Sequence, residues 1–221
     1  MSAAAAKMST HAQDDRASTK AAYLLQLRHG PFTMKEFQEC SKTSGSELQH
    51  LFNLQYLKEE NTEGEKRYSL TEKGRKEIKV VLAGGVYDVL HLGHLSALGE
   101  ARTLGDVLVV VVATDITVET LKGRKPIFPE EDRRELVEGL KPVDKAILGY
   151  EDVGFGFEQV LTEVKPDIVA FGYDQENLEK TVREIIQRRK LGIDIVKLSK
   201  FNHEKYASST SVRGKMSQEL R

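Results

Sequence analysis

The rhythm of apolar and polar positions changes near residue 78. Ahead of it the apolar residues recur at helical spacing in short stretches, over 21–27, 34–40 and 44–57. The third stretch has Ser44 or Ser46 as its cap and carries Leu48, Leu51, Phe52, Leu54 and Leu57 on one face. A polar turn at 61–65, a short strand at 67–70 and a helix opening at Thr71 complete this region. Residues 1–18 offer little to bury and are expected to be unstructured. Beyond 78, short continuous apolar runs at 79–83, 107–113, 145–148, 167–171 and 193–198 alternate with helical patterns at 93–103, 130–140, 155–164 and 175–190. Strands that read as unbroken apolar runs, each followed by a helix, predict a parallel sheet covered on both faces. The expected organisation is an unstructured segment 1–18, a small helical domain 19–78 and an α/β domain 79–221.

Composition narrows the setting more than the chemistry. The formal net charge over 221 residues is -1, so total charge gives no reason to expect wholesale binding to nucleic acid or membranes. One cysteine, Cys40, excludes an internal disulfide and suits a reducing compartment. Residues 1–16 contain no apolar stretch long enough for a signal peptide, and the apolar run at 107–113 is far too short to span a bilayer. A cytoplasmic, soluble protein with no membrane partner is expected.

The chemistry-bearing pattern lies where the first apolar run of the α/β region ends. Gly84-Gly85-Val86-Tyr87-Asp88 forms a turn, and His91-Leu92-Gly93-His94 opens the helix after it. Strand, glycine turn and helix start make a corner where backbone N–H groups and the positive end of the helix dipole face one point. Two imidazoles three residues apart add donors there. Three further blocks follow in order: Lys122-Gly123-Arg124-Lys125-Pro126 with Glu130-Glu131-Asp132-Arg133-Arg134; Phe171-Gly172-Tyr173-Asp174-Gln175; and Ser208-Ser209-Thr210-Ser211-Val212-Arg213.

Taken together the four blocks resemble the HxGH nucleotidyltransferases, Rossmann-like enzymes that transfer a nucleoside monophosphate from ATP or CTP to a phosphate. Within that superfamily the second and third blocks look most like archaeal-type FAD synthases, which join AMP from ATP to FMN. Cytidylyltransferases acting with CTP on glycerol 3-phosphate or another alcohol phosphate are the next nearest. The chain departs from the usual pattern in having Val86-Tyr87 where Thr-Phe is common and Leu92 where Pro or Trp often stands. Ahead of this region, Tyr68-Ser69-Leu70-Thr71-Glu72-Lys73-Gly74 resembles the wing exit of a winged helix-turn-helix domain. The fold class implied is α/β: a Rossmann-like parallel sheet with helices on both faces, preceded by a small winged-helix domain.

An acceptor phosphate is already ionised near neutral pH, so its attack on an α-phosphorus needs fixed donors and cations rather than a base. The resemblance implies a role for each candidate. His91 and His94 donate to triphosphate oxygens, Lys122 and Arg124 form a basic loop over the phosphates, and Arg133 reaches the site from its helix. Gly85, Val86, Tyr87, Asp88 and Gly93 form the nucleotide-binding corner, with the glycines allowing close approach. Asp174 contacts the nucleotide. Ser208, Ser209, Thr210 and Arg213 bind phosphate oxygens at a helix start. Asp88 has two readings, a contact to metal or a brace for the turn. Mg²⁺ or another divalent cation would accompany the nucleotide, and a homodimer is in keeping with the family.

A regulator in which the second domain senses a nucleotide or flavin is the alternative of a different class. A winged helix reads DNA with its third helix, yet 44–56 contains neither Lys nor Arg. Lys66, Arg67, Lys73, Arg75 and Lys76 near the wing supply the positive charge of this region. DNA binding and a protein-interaction module both remain open for it.

Overall fold

The computed structural model describes residues 3–42, 45–62, 64–151 and 156–201, with residues 3–12 as backbone only. The chain divides into two units, Met1–Ile78 and Lys79–Arg221.

The first unit runs α1 (Ala3–His29), α2 (Met34–Ser41), α3 (Gly45–Asn53), β1 (Leu57–Thr62), β2 (Glu65–Leu70) and α4 (Glu72–Arg75). Its core is formed by Ala22, Leu25, Phe32, Phe37, Leu48, Leu51, Leu57 and Tyr68. Thr33 and Glu36 form a reciprocal capping box that opens α2. Two expectations are corrected. Of the segment 1–18, expected to be unstructured, residues 3–18 lie in α1. Alanine is the best helix former and extends a helix already anchored by packing, and Ser18 and Thr19 are themselves buried. The helix expected over 44–57 stops at Asn53, and the left-handed Gln55 (φ 61°) turns the chain into a strand. That strand, β1, pairs antiparallel with β2 from Leu57↔Leu70 to Thr62↔Glu65. Its residues beyond Leu57 are largely exposed, so no alternation marked it in the sequence. On α3 the polar side chains engage one another and α1: Gln49 donates to Asn53 at 3.2 Å, and His50 lies 3.0 Å from Asp15.

The second unit continues with β3 (Val80–Gly85), α5 (Leu92–Arg102), β4 (Val107–Val112), α6 (Asp115–Lys122), α7 (Glu130–Glu138), β5 (Lys145–Leu148), α8 (Gly156–Val164), β6 (Ile168–Phe171), α9 (Glu176–Arg189) and β7 (Asp194–Lys197). All five strands are parallel, in the order β5-β4-β3-β6-β7. One face buries Val81, Ala83, Leu108, Val110, Ala146, Ile168 and Ala170 against Leu98 and Ala101 of α5 and Val137 of α7. The alternate positions Val80, Leu82, Val107, Val109 and Val169 are also buried, so the three central strands of this Rossmann-like sheet are covered on both faces.

The sequence predicts no helix between 113 and 130, where α6 is found. Its Ile116-Thr117-Val118 run is β-branched and disfavours helix. Caps supply what propensity does not: Thr114 accepts from the Thr117 N–H, and Gly123 closes the helix in the left-handed conformation. Strand order reverses between β3 and β6, which opens a crevice beyond their carboxyl ends. At the opposite edge Asp106, Asp167 and Asp144 accept the N–H groups of Lys79, Val80 and Leu108 at 2.7–2.8 Å. The amino ends of the strands are thereby tied down, and the ends that face the crevice are left for chemistry.

Candidate active site

β3 ends in Gly84-Gly85, and the chain must turn sharply to start α5. Tyr87 takes up the turn with a positive φ of 53°, and its ring folds back over the strand end. A Cβ on Gly85 would lie 2.9 Å from two carbons of that ring, so only glycine fits beneath it. Burial pushes the Tyr87 phenol up beyond the range in which it ionises. Gly85→Ala is expected to lift the ring, distort this corner and weaken binding of a nucleoside triphosphate there by roughly tenfold. Calorimetry across a panel of nucleoside triphosphates, with thermal unfolding as control, checks this.

His91 is the N-cap of α5, and its Nδ1 accepts the Gly93 N–H at 3.2 Å. A neutral His91 therefore carries its proton on Nε2, pre-set as a donor. His94, one turn in, stacks on His91 with ring centroids 3.8 Å apart and sits 5.1 Å from the Tyr87 ring. Burial, then the neighbouring His91 and the Lys122 ammonium, hold its pKa down at about 4. Burial also lowers that of His91. Both rings are thus neutral donors at physiological pH. The Nδ1 of His94 is buried with no hydrogen-bond partner among the described residues, so no protein contact there fixes its tautomer.

The basic loop after α6 is fastened to this corner by Asp88, whose side chain is 2% exposed. Its Oδ1 accepts the N–H groups of Ile127 (2.6 Å) and Phe128 (3.2 Å), and its Oδ2 lies 3.4 Å from the Arg124 guanidinium. Of the two readings of Asp88, this geometry supports the brace. Lys122 ends α6 close enough to His94 to depress its pKa. Lys125 lies outside the cluster, 3.8 Å from Glu119.

Arg133 departs from expectation. Its side chain is 0% exposed and donates to three acceptors of its own chain: Val86 O (2.6 Å), Phe128 O (2.9 Å) and Asp115 Oδ1 (2.6 Å). A guanidinium enclosed in this way does not face a phosphate. It ties the turn after β3, the loop after α6 and the start of α6 into one piece. Asp115, whose own N–H donates to Glu130 at 2.6 Å, was not among the residues the sequence singled out. No local pattern marks it, because its partner lies 18 positions away.

Asp174 is exposed beyond the carboxyl end of β6, on the far side of the crevice from Gly84-Gly85. Gln175 beside it donates from Nε2 to Gly84 O at 2.8 Å and accepts the Gly172 N–H on Oε1 at 2.7 Å. The structure therefore brings His91, His94, Tyr87, Gly85, Val86, Asp88, Gly93, Lys122 and Arg124 together around the β3–α5 corner. Ser208, Ser209, Thr210 and Arg213 lie outside the described residues.

Known proteins are similar over this unit. A family model described as cytidylyltransferase-like matches residues 82–215. A protein named FAD synthase from Aciduliprofundum boonei is 50% identical over 121 residues, which is 55% of this chain and 78% of that one. Another of that name, from Thermoplasma volcanium, is 45% identical over 136 residues, covering 62% and 92% of the two chains. Among solved structures, one described as the lipopolysaccharide core biosynthesis protein from Thermoplasma volcanium is 44% identical with a TM-score of 0.53, covering 57% of this chain and 99% of that one.

Proposed function

The chain belongs to the cytidylyltransferase-like family, and from that premise we propose that it is an FAD synthase, an FMN adenylyltransferase that converts ATP and FMN into FAD and pyrophosphate. The observation that carries the chemistry is the pair of neutral, stacked imidazoles at the amino end of α5, in the crevice where the strand order reverses. The similarity to FAD synthases carries the choice of ATP and FMN.

An oxygen of the FMN phosphate attacks the α-phosphorus of ATP. A new P–O bond forms, the bond to the bridging α–β oxygen breaks, and pyrophosphate leaves with the electron pair. No proton is removed from the nucleophile, because a phosphate monoester is already ionised. The protein has to hold two anions in line and stabilise charge on the leaving group. His91 supplies an Nε2–H whose direction is set by the Gly93 cap, and His94 supplies a second donor at fixed separation. The N–H groups at the start of α5 and its dipole favour the same negative charge. Lys122 ends α6, and Arg124 stands on the following loop, which Asp88 holds against the corner. Gly85 leaves room for the Tyr87 ring against the end of β3, and that packing shapes the corner.

A divalent cation would add charge neutralisation across the phosphates. Among the described residues no three His, Cys, Asp or Glu side chains gather into a metal cage. Exposed Asp174, beyond the carboxyl end of β6, is the carboxylate that would help hold such a cation. No helix among the described residues is long and apolar enough to cross a membrane, and the free thiol of exposed Cys40 suits the cytoplasm.

Pyrophosphate release tests the assignment directly, with ATP or CTP offered against FMN, glycerol 3-phosphate, phosphocholine and phosphopantetheine. Release with ATP and FMN alone is expected. Release with CTP and an alcohol phosphate would overturn the choice of substrates and leave the mechanism in place.

A further inference from the structure

Strand β3 is hydrogen-bonded to β4 along its whole length, as far as Gly85↔Val112. Toward β6 it pairs only over Val81–Ala83, opposite Ile168–Ala170. Past that point the two strands part to form the crevice, and their last peptides lose the ladder that fixed their spacing. The Gln175 side chain bridges the gap. Its planar amide presents an N–H to Gly84 O (2.8 Å) on one side and a carbonyl to the Gly172 N–H (2.7 Å) on the other. It thus does the work of a missing peptide unit between the diverging strands. The partners allow only this orientation of the amide, since one is an acceptor and the other a donor. The backbone of Gln175 also closes the turn, its N–H donating to Gly172 O at 3.2 Å.

Helix capping does not explain a glutamine here. Gln175 is the N-cap residue of α9, a position where Ser, Thr, Asp or Asn normally serves the helix, and its side chain makes no cap bond. That side chain is instead committed across the crevice, 91 residues away along the chain. We infer that Gln175 is a positioning residue for the transfer reaction. It sets the distance between the β3 end, which leads into the histidine corner, and the β6 end, which carries Asp174. The inference deepens the FAD synthase reading and rests on it for the identity of the nucleotide.

Gln175→Ala and Gln175→Glu test it in the full-length protein, with ATP affinity, steady-state kinetics and thermal unfolding measured on each. Gln175→Ala is expected to raise the KM and Kd for ATP about tenfold, the equivalent of one to two hydrogen bonds, with a much smaller change in kcat. Gln175→Glu is the sharper probe. Its ionised carboxylate has no proton for Gly84 O, so at pH 8 it should bind ATP no better than the alanine variant. Once protonated, it regains a donor and an acceptor, so its ATP affinity relative to wild type should climb as pH falls through the ordinary glutamate range, about 5.5 to 4, while that of Gln175→Ala stays level. A purely structural glutamine would lower the unfolding temperature and leave the KM for ATP unchanged, and that result would overturn the inference. So would a glutamate variant whose deficit does not change with pH. Failure of the wild type to release pyrophosphate with ATP and FMN would count against the FAD synthase assignment alone, because ATP affinity still reads the bridge.

Discussion

His94→Ala is expected to lower kcat by 10²-fold or more, the loss typical of removing a donor aimed at charge that develops in the transition state. Thermal stability should change little by comparison, because the Nδ1 of the ring has no protein partner to lose among the described residues. His91 needs a different variant, since alanine would also remove the cap of α5. His91→Asn keeps a good N-cap side chain and deletes the Nε2 donor, so it should lose turnover without unfolding the helix start. Single-turnover pyrophosphate release on both variants checks this, and turnover within threefold of wild type for His94→Ala would remove the histidine pair from the mechanism.

The same ring predicts the pH behaviour. With its pKa held at about 4, His94 is neutral in the free enzyme throughout pH 6–8. Any slope of log kcat/KM in that interval should follow the acceptor phosphate, whose second ionisation lies near 6. Stability follows by linkage. Between about 4 and 6.5 the unfolded chain binds a proton at this position that the native state refuses. Native stability therefore falls as pH falls through that window. His94→Ala lacks this contribution, so its unfolding temperature should drop less than that of wild type between pH 6.5 and 4.5.

The sequence was legible where structure is made locally. Val80–Gly85 and Val107–Val112 read as buried strands because every position in their cores is apolar. His91 and His94 could be placed on a helix start because glycine turn, cap and helix follow one another within a few residues. Elements whose stability comes from elsewhere were not legible. β1 is a largely exposed ribbon held by its ladder to β2. α6 forms against its own propensity because both ends are capped and Val118 is buried. Arg133 and Gln175 are the instructive pair. Each stands in a motif the sequence displays, but what each does depends on carbonyl and carboxylate groups 5 to 91 positions away. A motif shows that a residue type is present near a site and says nothing of whether its polar atoms face a ligand or the protein.

Arg133 gives that distinction an observable consequence. If it were a phosphate ligand, Arg133→Met would weaken nucleotide binding and leave the fold intact, since methionine fills a similar apolar volume. The structure predicts the reverse order of effects. Removing the guanidinium strands the carbonyls of Val86 and Phe128 and the carboxylate of Asp115. Breaking a buried ion pair from one side costs about 3–5 kcal/mol. Asp115 is 37% exposed and can rehydrate, which places the expected loss near the lower bound, about 3 kcal/mol. For a unit of this size that corresponds to a fall of roughly 10 °C in the unfolding temperature. Arg133→Lys should recover little, because an ammonium cannot reach three acceptors spread around a planar fork. The second-site variant Arg133→Met/Asp115→Leu removes the stranded charge and should regain part of the loss, a non-additivity that only a direct pair produces. Turnover should fall in Arg133→Met as well, through the turn that Arg133 holds at Val86, and it should return with the stability rather than independently of it. An Arg133→Met protein that unfolds at the wild-type temperature yet no longer binds ATP would put this guanidinium back at the phosphates.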